Sequence, residues 1–160
     1  MTAETITGTR ASRTFPVAAA MGAGVLQVAW GKYAITEDLE VGDIFELCRL
    51  PACTVIGGAF RAGDLDSNAT ETVEIDVGYA ANGVDSADAD AFVNSGVLIG
   101  DAVTNIFPAG NYRPFEMLLG PIVLNAPTIV QAEVIAAQAT AADATIYCYV
   151  LYTAWEDEAN

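Results

Sequence analysis

Between Glu71 and Tyr79 the chain reads ETVEIDVGY, with Val73, Ile75, Val77 and Tyr79 alternating with Thr72, Glu74, Asp76 and Gly78. A period of two sends successive side chains to opposite faces, so the segment predicts a strand with its apolar face in a core and its acidic face in water. Burying each such Val or Ile contributes about 1.5–3 kcal/mol. A second segment, ATIYCYVLYTAW at Ala144–Trp155, alternates with no charge on either face. Thr145, Tyr147, Tyr149, Leu151 and Thr153 share one side; Ile146, Cys148, Val150 and Tyr152 share the other. That pattern suits a central strand buried on both sides, or one whose outer face meets another subunit.

Five more segments read as strands: Val25–Ile35, Asp43–Leu50, Cys53–Phe60, Tyr112–Leu119 and Thr128–Ala137. Turn residues separate them, at Val41-Gly42-Asp43, Leu50-Pro51, Gly57-Gly58, Asn82-Gly83, Pro108-Ala109-Gly110 and Gly120-Pro121. Short strands with such breaks predict an all-β chain, a single antiparallel β-sandwich of jelly-roll or Greek-key type. One short helix is expected in DSADADAFVNSG, where Ser86 is placed to cap it and Asp88 and Asp90 sit in the first turn, at the positive end of the helix dipole.

With 160 residues the chain is one domain long, and no internal repeat or low-complexity linker divides it. The expected division is an N-terminal arm, residues 1–14, and a sandwich, residues 15–160. Hydrophobic residues make up 53% and only 17% are charged, which excludes disorder and points to a surface that is partly interface. The net charge of −15, with one lysine and no histidine, opposes contact with DNA or RNA, whose phosphates need a basic patch. Residues 1–13 run against this trend: Glu4 faces Arg10 and Arg13, a local charge of +1.

The run from Phe15 to Trp30 superficially resembles a signal-peptide core. Glu4 in the charged region, Pro16 at its start, its two glycines and the lack of a small-x-small cleavage site argue against that role, and no uninterrupted apolar stretch is long enough for a membrane span. Cys48, Cys53 and Cys148 are an odd set without zinc spacing. Cys48 and Cys148 read as small core residues in a reducing compartment. Asn68-Ala69-Thr70 is a glycosylation sequon only in a eukaryotic secretory route, and is taken as coincidence.

Six aspartates between Gly63 and Phe92 raise the question of a metal. Asp64, Asp66 and Asn68 match positions 1, 3 and 5 of an EF-hand loop, but the required glycine at position 6 is Ala69 and the required glutamate at position 12 is Ile75. A calcium loop of another type would draw on Asp64, Asp66 and Asp85 or Asp88. The acids alternate with apolar residues or lie among turn residues, unlike the paired carboxylates of a glycosidase cleft. No histidine is present as a general base, and GGAFRAGD lacks the lysine of a phosphate loop. The expectation is therefore no enzyme, no catalytic residue, no cofactor and no metal, with aspartates that keep two loops polar and cap one helix.

Taken together, WGKYAITEDLEVGDIFELCRLPACTVIGGAF, DLDSNATETVEIDVGY and DSADADAFV resemble the decoration (cement, or auxiliary head) proteins of tailed bacteriophages. The resemblance rests on Gly31, Tyr33, Leu39, Gly42, Asp43, Leu50, Pro51, Asp64 to Asp66, Val77 to Tyr79 and Asp85 to Phe92, and spans about residues 24 to 155. It implies a β-sandwich on the outside of a shell, commonly trimeric, whose partner is the major capsid protein, assembled in the bacterial cytoplasm and lacking catalytic residues. Candidate contacts with the shell or a neighbouring copy are Arg10 and Arg13 in the arm, Tyr112, Arg113, Tyr147, Tyr149 and Trp155. Two rival readings stand beside it: a secreted or surface sandwich that binds carbohydrate with calcium, and a phage tail component.

Overall fold

The computed structural model describes residues 5–10, 25–68, 72–94, 111–116 and 120–154. Ten strands run in chain order: β1 (Thr5–Arg10), β2 (Leu26–Ile35), β3 (Ile44–Leu50), β4 (Cys53–Ala62), β5 (Glu74–Tyr79), β6 (Asp88–Val93), β7 (Asn111–Pro114), β8 (Ile122–Leu124), β9 (Thr128–Ala136) and β10 (Ala144–Ala154). They form two sheets. The first has the order β1-β3-β9-β5-β6; the second has the order β2-β10-β4-β7, with β8 also on β4. All pairs are antiparallel except β1 with β3, which is parallel. The expected purely antiparallel sandwich therefore gains one parallel edge strand, drawn from the segment read as an arm.

Between the sheets lies the core. The alternation in ETVEIDVGY puts Val73, Ile75 and Val77 at zero exposure, facing Val130, Ala132 and Val134 of β9, also fully buried. From the other sheet β10 contributes Ile146, Cys148, Val150 and Tyr152, and β4 contributes Val55 and Phe60. Tyr33 meets Phe45 across the sheets with ring centroids 5.3 Å apart.

The sheets approach closely at Gly31 of β2 and Leu47 of β3. β3 carries a bulge at Leu47, between the paired residues Glu46 and Cys48, and a Cβ built on Gly31 would lie 2.0 Å from the Leu47 carbonyl oxygen. Only a glycine fits there, for reasons of space.

Two expectations are corrected. No helix occurs among the described residues, and DSADADAFVNSG yields strand β6. Its Asp-Ala alternation fits a period of two, and pairing with β5 satisfies backbone groups that a capped helix would leave for water. Phe92 is fully buried there, stacked on Phe115 at 4.6 Å and tilted against Tyr79 at 6.0 Å. Nor are the aspartates all solvated: Asp66 is 1% exposed and Asp76 is 8% exposed.

Candidate functional site

The outward face of the second sheet departs most from what a soluble sandwich needs. Because β10 alternates, Ile146, Cys148, Val150 and Tyr152 point inward while Tyr147 and Tyr149 point out, at 42% and 36% exposure. Register fixes their neighbours. Tyr147 lies between Lys32 of β2 and Arg61 of β4; Tyr149 lies between Trp30 and Ala59; Leu151 lies between Val28 and Gly57. Leu26, Val28 and Trp30 are all exposed. A bulge in β4 between Val55 and Gly57 turns Ile56 out, and β8 adds exposed Val123 beside Thr54.

On the far side, Tyr112 of β7 stands beside Arg61, and its hydroxyl lies 3.0 Å from that of Tyr149. Ala59 is too small to fill the space beneath them. The result is an open notch of about 330 Å³ lined by Ala59, Phe60, Arg61, Tyr112, Tyr147 and Tyr149. The hydrogen bond to Tyr112, followed by partial burial, pushes the Tyr149 phenol up.

No acidic residue occupies an outward position of the described strands of this sheet, in a chain with 21 acids. The first sheet is the reverse. Glu46, Glu133 and Asp76 occupy outward positions on β3, β9 and β5, with Glu74 two residues along and Asp88 and Asp90 on the edge strand β6. The sandwich thus has an acidic side and an apolar, aromatic side with two cations.

Of the contact residues expected from sequence, Tyr112, Tyr147 and Tyr149 come together here. Arg113 does not join them, since it pairs with core residue Phe60 and alternates to the other face of β7. Arg10 lies on β1 opposite Cys48. Arg13 and Trp155 fall outside the described residues. Sequence reading missed Trp30 and Val28, whose alternation was legible, because which side of β2 is bare depends on its partner.

The acidic loops are occupied by the chain's own donors. Asp66 accepts hydrogen bonds from the amides of Asn68, Thr72, Ala139 and Thr140, at 2.9–3.1 Å. Burial pushes its carboxyl up, but those four amides outweigh it and hold the group at about 2. Asp85 accepts from Asn82 Nδ2 at 2.9 Å and from Asn125 N and Nδ2, both at 2.7 Å. Both carboxylates serve as loop staples, and among the described residues no group of three or more ligand side chains could hold a metal. Chelation by EDTA is therefore expected to shift the melting temperature by less than about 2 °C. The three cysteines are buried and form no disulfide, and the Cys53 thiol is pushed up by burial to about 12, which removes it from thiolate chemistry at neutral pH.

The chain is similar in structure to chains of three phage capsids. In the capsid of Ralstonia phage GP4 the match has a TM-score of 0.72 at 19% identity, covering 96% of this chain and 99% of that one. In the cyanophage Pam1 capsid asymmetric unit the values are 0.64, 21%, 90% and 94%. This fold occurs in phage capsids. A third match, in the acidic stable capsid of Helicobacter pylori bacteriophage KHP30, has a TM-score of 0.52 at 17% identity and covers 82% and 90% of the two chains. No family model matches the chain, and no curated protein matches it in sequence.

Proposed function

We propose that this chain is a structural virion protein: a decoration protein that lays the outward face of its second sheet on the outer surface of a phage capsid and turns its acidic sheet to solvent. The observation that carries this reading is the segregation of the two faces. A face spanned by the ten residues of β2 and the width of four strands measures about 34 by 15–20 Å, on the order of 500 Å². An apolar-rich face of that size stands at the upper end of what monomers expose, and patches of this kind are often interaction sites. Lys32 and Arg61 give it a charge complement for carboxylates on the major capsid protein, and the acidic sheet would be repelled by packaged DNA.

Likeness to capsid chains supports a place in the head over one in the tail. Trimers on the shell, assembly in the host cytoplasm and contacts by Arg10 or Arg13 of the N-terminal segment belong to the same proposal. So does a jelly-roll reading, supported by the strand order: without β1 and β8, the sheets are β2-β10-β4-β7 and β3-β9-β5-β6.

The test is sedimentation of the purified protein with capsids of its own phage, stripped of this component. Wild type is expected to co-sediment. Val28→Glu combined with Tyr149→Glu should reduce binding at least about 100-fold while leaving the circular dichroism spectrum unchanged, because two buried charges without partners would enter the contact. Undiminished binding by a folded double variant would overturn the assignment of this face.

A second reading is favoured by one feature, the notch of Tyr112, Tyr147 and Tyr149 beside Arg61, which offers stacking surfaces and hydroxyls to a sugar ring. Oligosaccharide binding lost in Tyr147→Ala, with no capsid binding at all, would select it.

A further inference from the structure

The acidic sheet contains one carboxyl that does not fit its surroundings. Asp76 lies near the middle of β5, is 8% exposed, and its Oδ1 is buried without a hydrogen-bond partner. Among the described residues, the charges that bear on it are all of the same sign. Directly opposite on β9 is Glu133; on β5 itself Glu74 precedes it by two residues; β6 on the other side brings Asp90, with Asp88 further along. Beyond β9, β3 places Glu46 opposite Gln131 and Ile44 opposite Glu133.

The backbone positions that carry this sheet's described arginines are remote. Arg49 of β3 is registered with Ile129, four residues along β9 from Glu133 and so about 13 Å away. Arg10 on β1 is registered with Cys48, beyond β3. An ionised carboxylate at Asp76 is thus largely shielded from water, and among the described residues it has no donor for Oδ1 and no nearby counter-charge, each of which raises the cost of ionisation.

We propose that Asp76 is a protonation switch in the acidic sheet: mild acidification places a proton on its carboxyl, relieves the repulsion between β5, β9 and β6, and makes the protein more stable than at neutral pH. Protonation also gives the carboxyl an O–H donor, which Glu133 or Asp90 across the strands can accept. Burial first, then Asp90, Glu133 and Glu74, push the group up to about 6. The sign follows: for an acid whose folded value is raised, stability is fully present below the unfolded value near 3.8 and is lost as pH rises through about 6. A protein of the outer shell built this way would harden in mildly acidic surroundings.

The test is thermal unfolding of the whole chain between pH 7.5 and 5. For wild type the folding equilibrium constant is expected to rise about three- to tenfold over that interval, allowing for screening at the exposed acids, which reads as about 2–4 °C in melting temperature. Asp76→Asn should be flat over the same interval and should melt above wild type at pH 7.5. Carboxyl carbon NMR of wild type gives a second measure that needs no folded variant: the Asp76 signal should titrate with a midpoint near 6, and Glu133→Gln should move it down. An Asp76 midpoint at or below 4, or a wild-type rise retained in Asp76→Asn, would overturn the switch. So would stabilisation by magnesium or calcium at pH 7.5 that disappears in Asp76→Asn, which would make a cation, not a proton, the occupant.

Discussion

Replacing Gly31 by alanine is expected to destabilise the protein by about 3 kcal/mol or more, which for a chain of this size lowers the melting temperature by about 10 °C. The new Cβ would lie 2.0 Å from the Leu47 carbonyl oxygen and 2.5 Å from its carbon. Both sides of the clash are backbone. Gly31 is held in β2 by its pairing with Cys148, and the Leu47 carbonyl is held by the β3 bulge. Neither side can rotate away, so the sheets must separate and the core around Phe45 and Leu47 must loosen. Gly57→Ala is the matched control: its Cβ would meet only Leu151 Cδ1, at 4.0 Å, and the change should be nearly neutral. Equal melting temperatures for the two variants would show that the sheets do not close at Gly31.

Loss of the Asp66 carboxylate is expected to rank close behind. In Asp66→Ala the amides of Asn68, Thr72, Ala139 and Thr140 lose their acceptor together, and water can reach some of them, so the expected cost is about 2–4 kcal/mol. The effect should be local at first: amide exchange should quicken at residues 66–68 and 137–141 before the rest of the sandwich. The pH dependence has the opposite sign to that of Asp76. Because the folded carboxyl is depressed to about 2, its contribution is present above the unfolded value of 3.8 and is lost as pH falls through about 2. Wild type should therefore be most stable near about pH 4, between the acid limb set by Asp66 and the neutral limb set by Asp76. Urea titrations across pH 2–8 check this; an acid limb unchanged in Asp66→Ala would remove Asp66 as its cause.

The three tyrosines of the candidate surface come from strands distant in sequence. Tyr147 and Tyr149 were legible as one stripe of an uncharged strand, and Tyr112 as an aromatic in another candidate strand. That Tyr112 and Tyr149 share a hydroxyl contact depends on β4 lying between their strands and on Ala59 being too small to keep them apart.

By itself the sequence determined the all-β class, the faces of β5 and β10, seven of the strand positions, most of them to within a few residues, the apolar excess and the one-sided charge. These follow from local rules: a period of two assigns faces, and glycine, proline and asparagine end strands wherever they occur. Three strands escaped it. β8 has three residues, β1 carries no strong alternation, and in β6 Ser86 and two early aspartates satisfy helix-capping rules as readily as Asp-Ala alternation satisfies strand rules. Only the bare edge of β5 decided between them, and an edge exists only once the sheet is assembled. The same holds for the aspartates. Asp64, Asp66, Asp76 and Asp85 look alike in the sequence, yet Asp66 is gripped by four amides from two loops, Asp85 by two asparagines, and Asp76 is left buried among its own kind. Which of them is stabilised as an anion and which is driven towards protonation is set by neighbours up to 74 residues away, because hydrogen bonding and desolvation act through space, and the pairing of β5 with β9 is what brings those neighbours within reach.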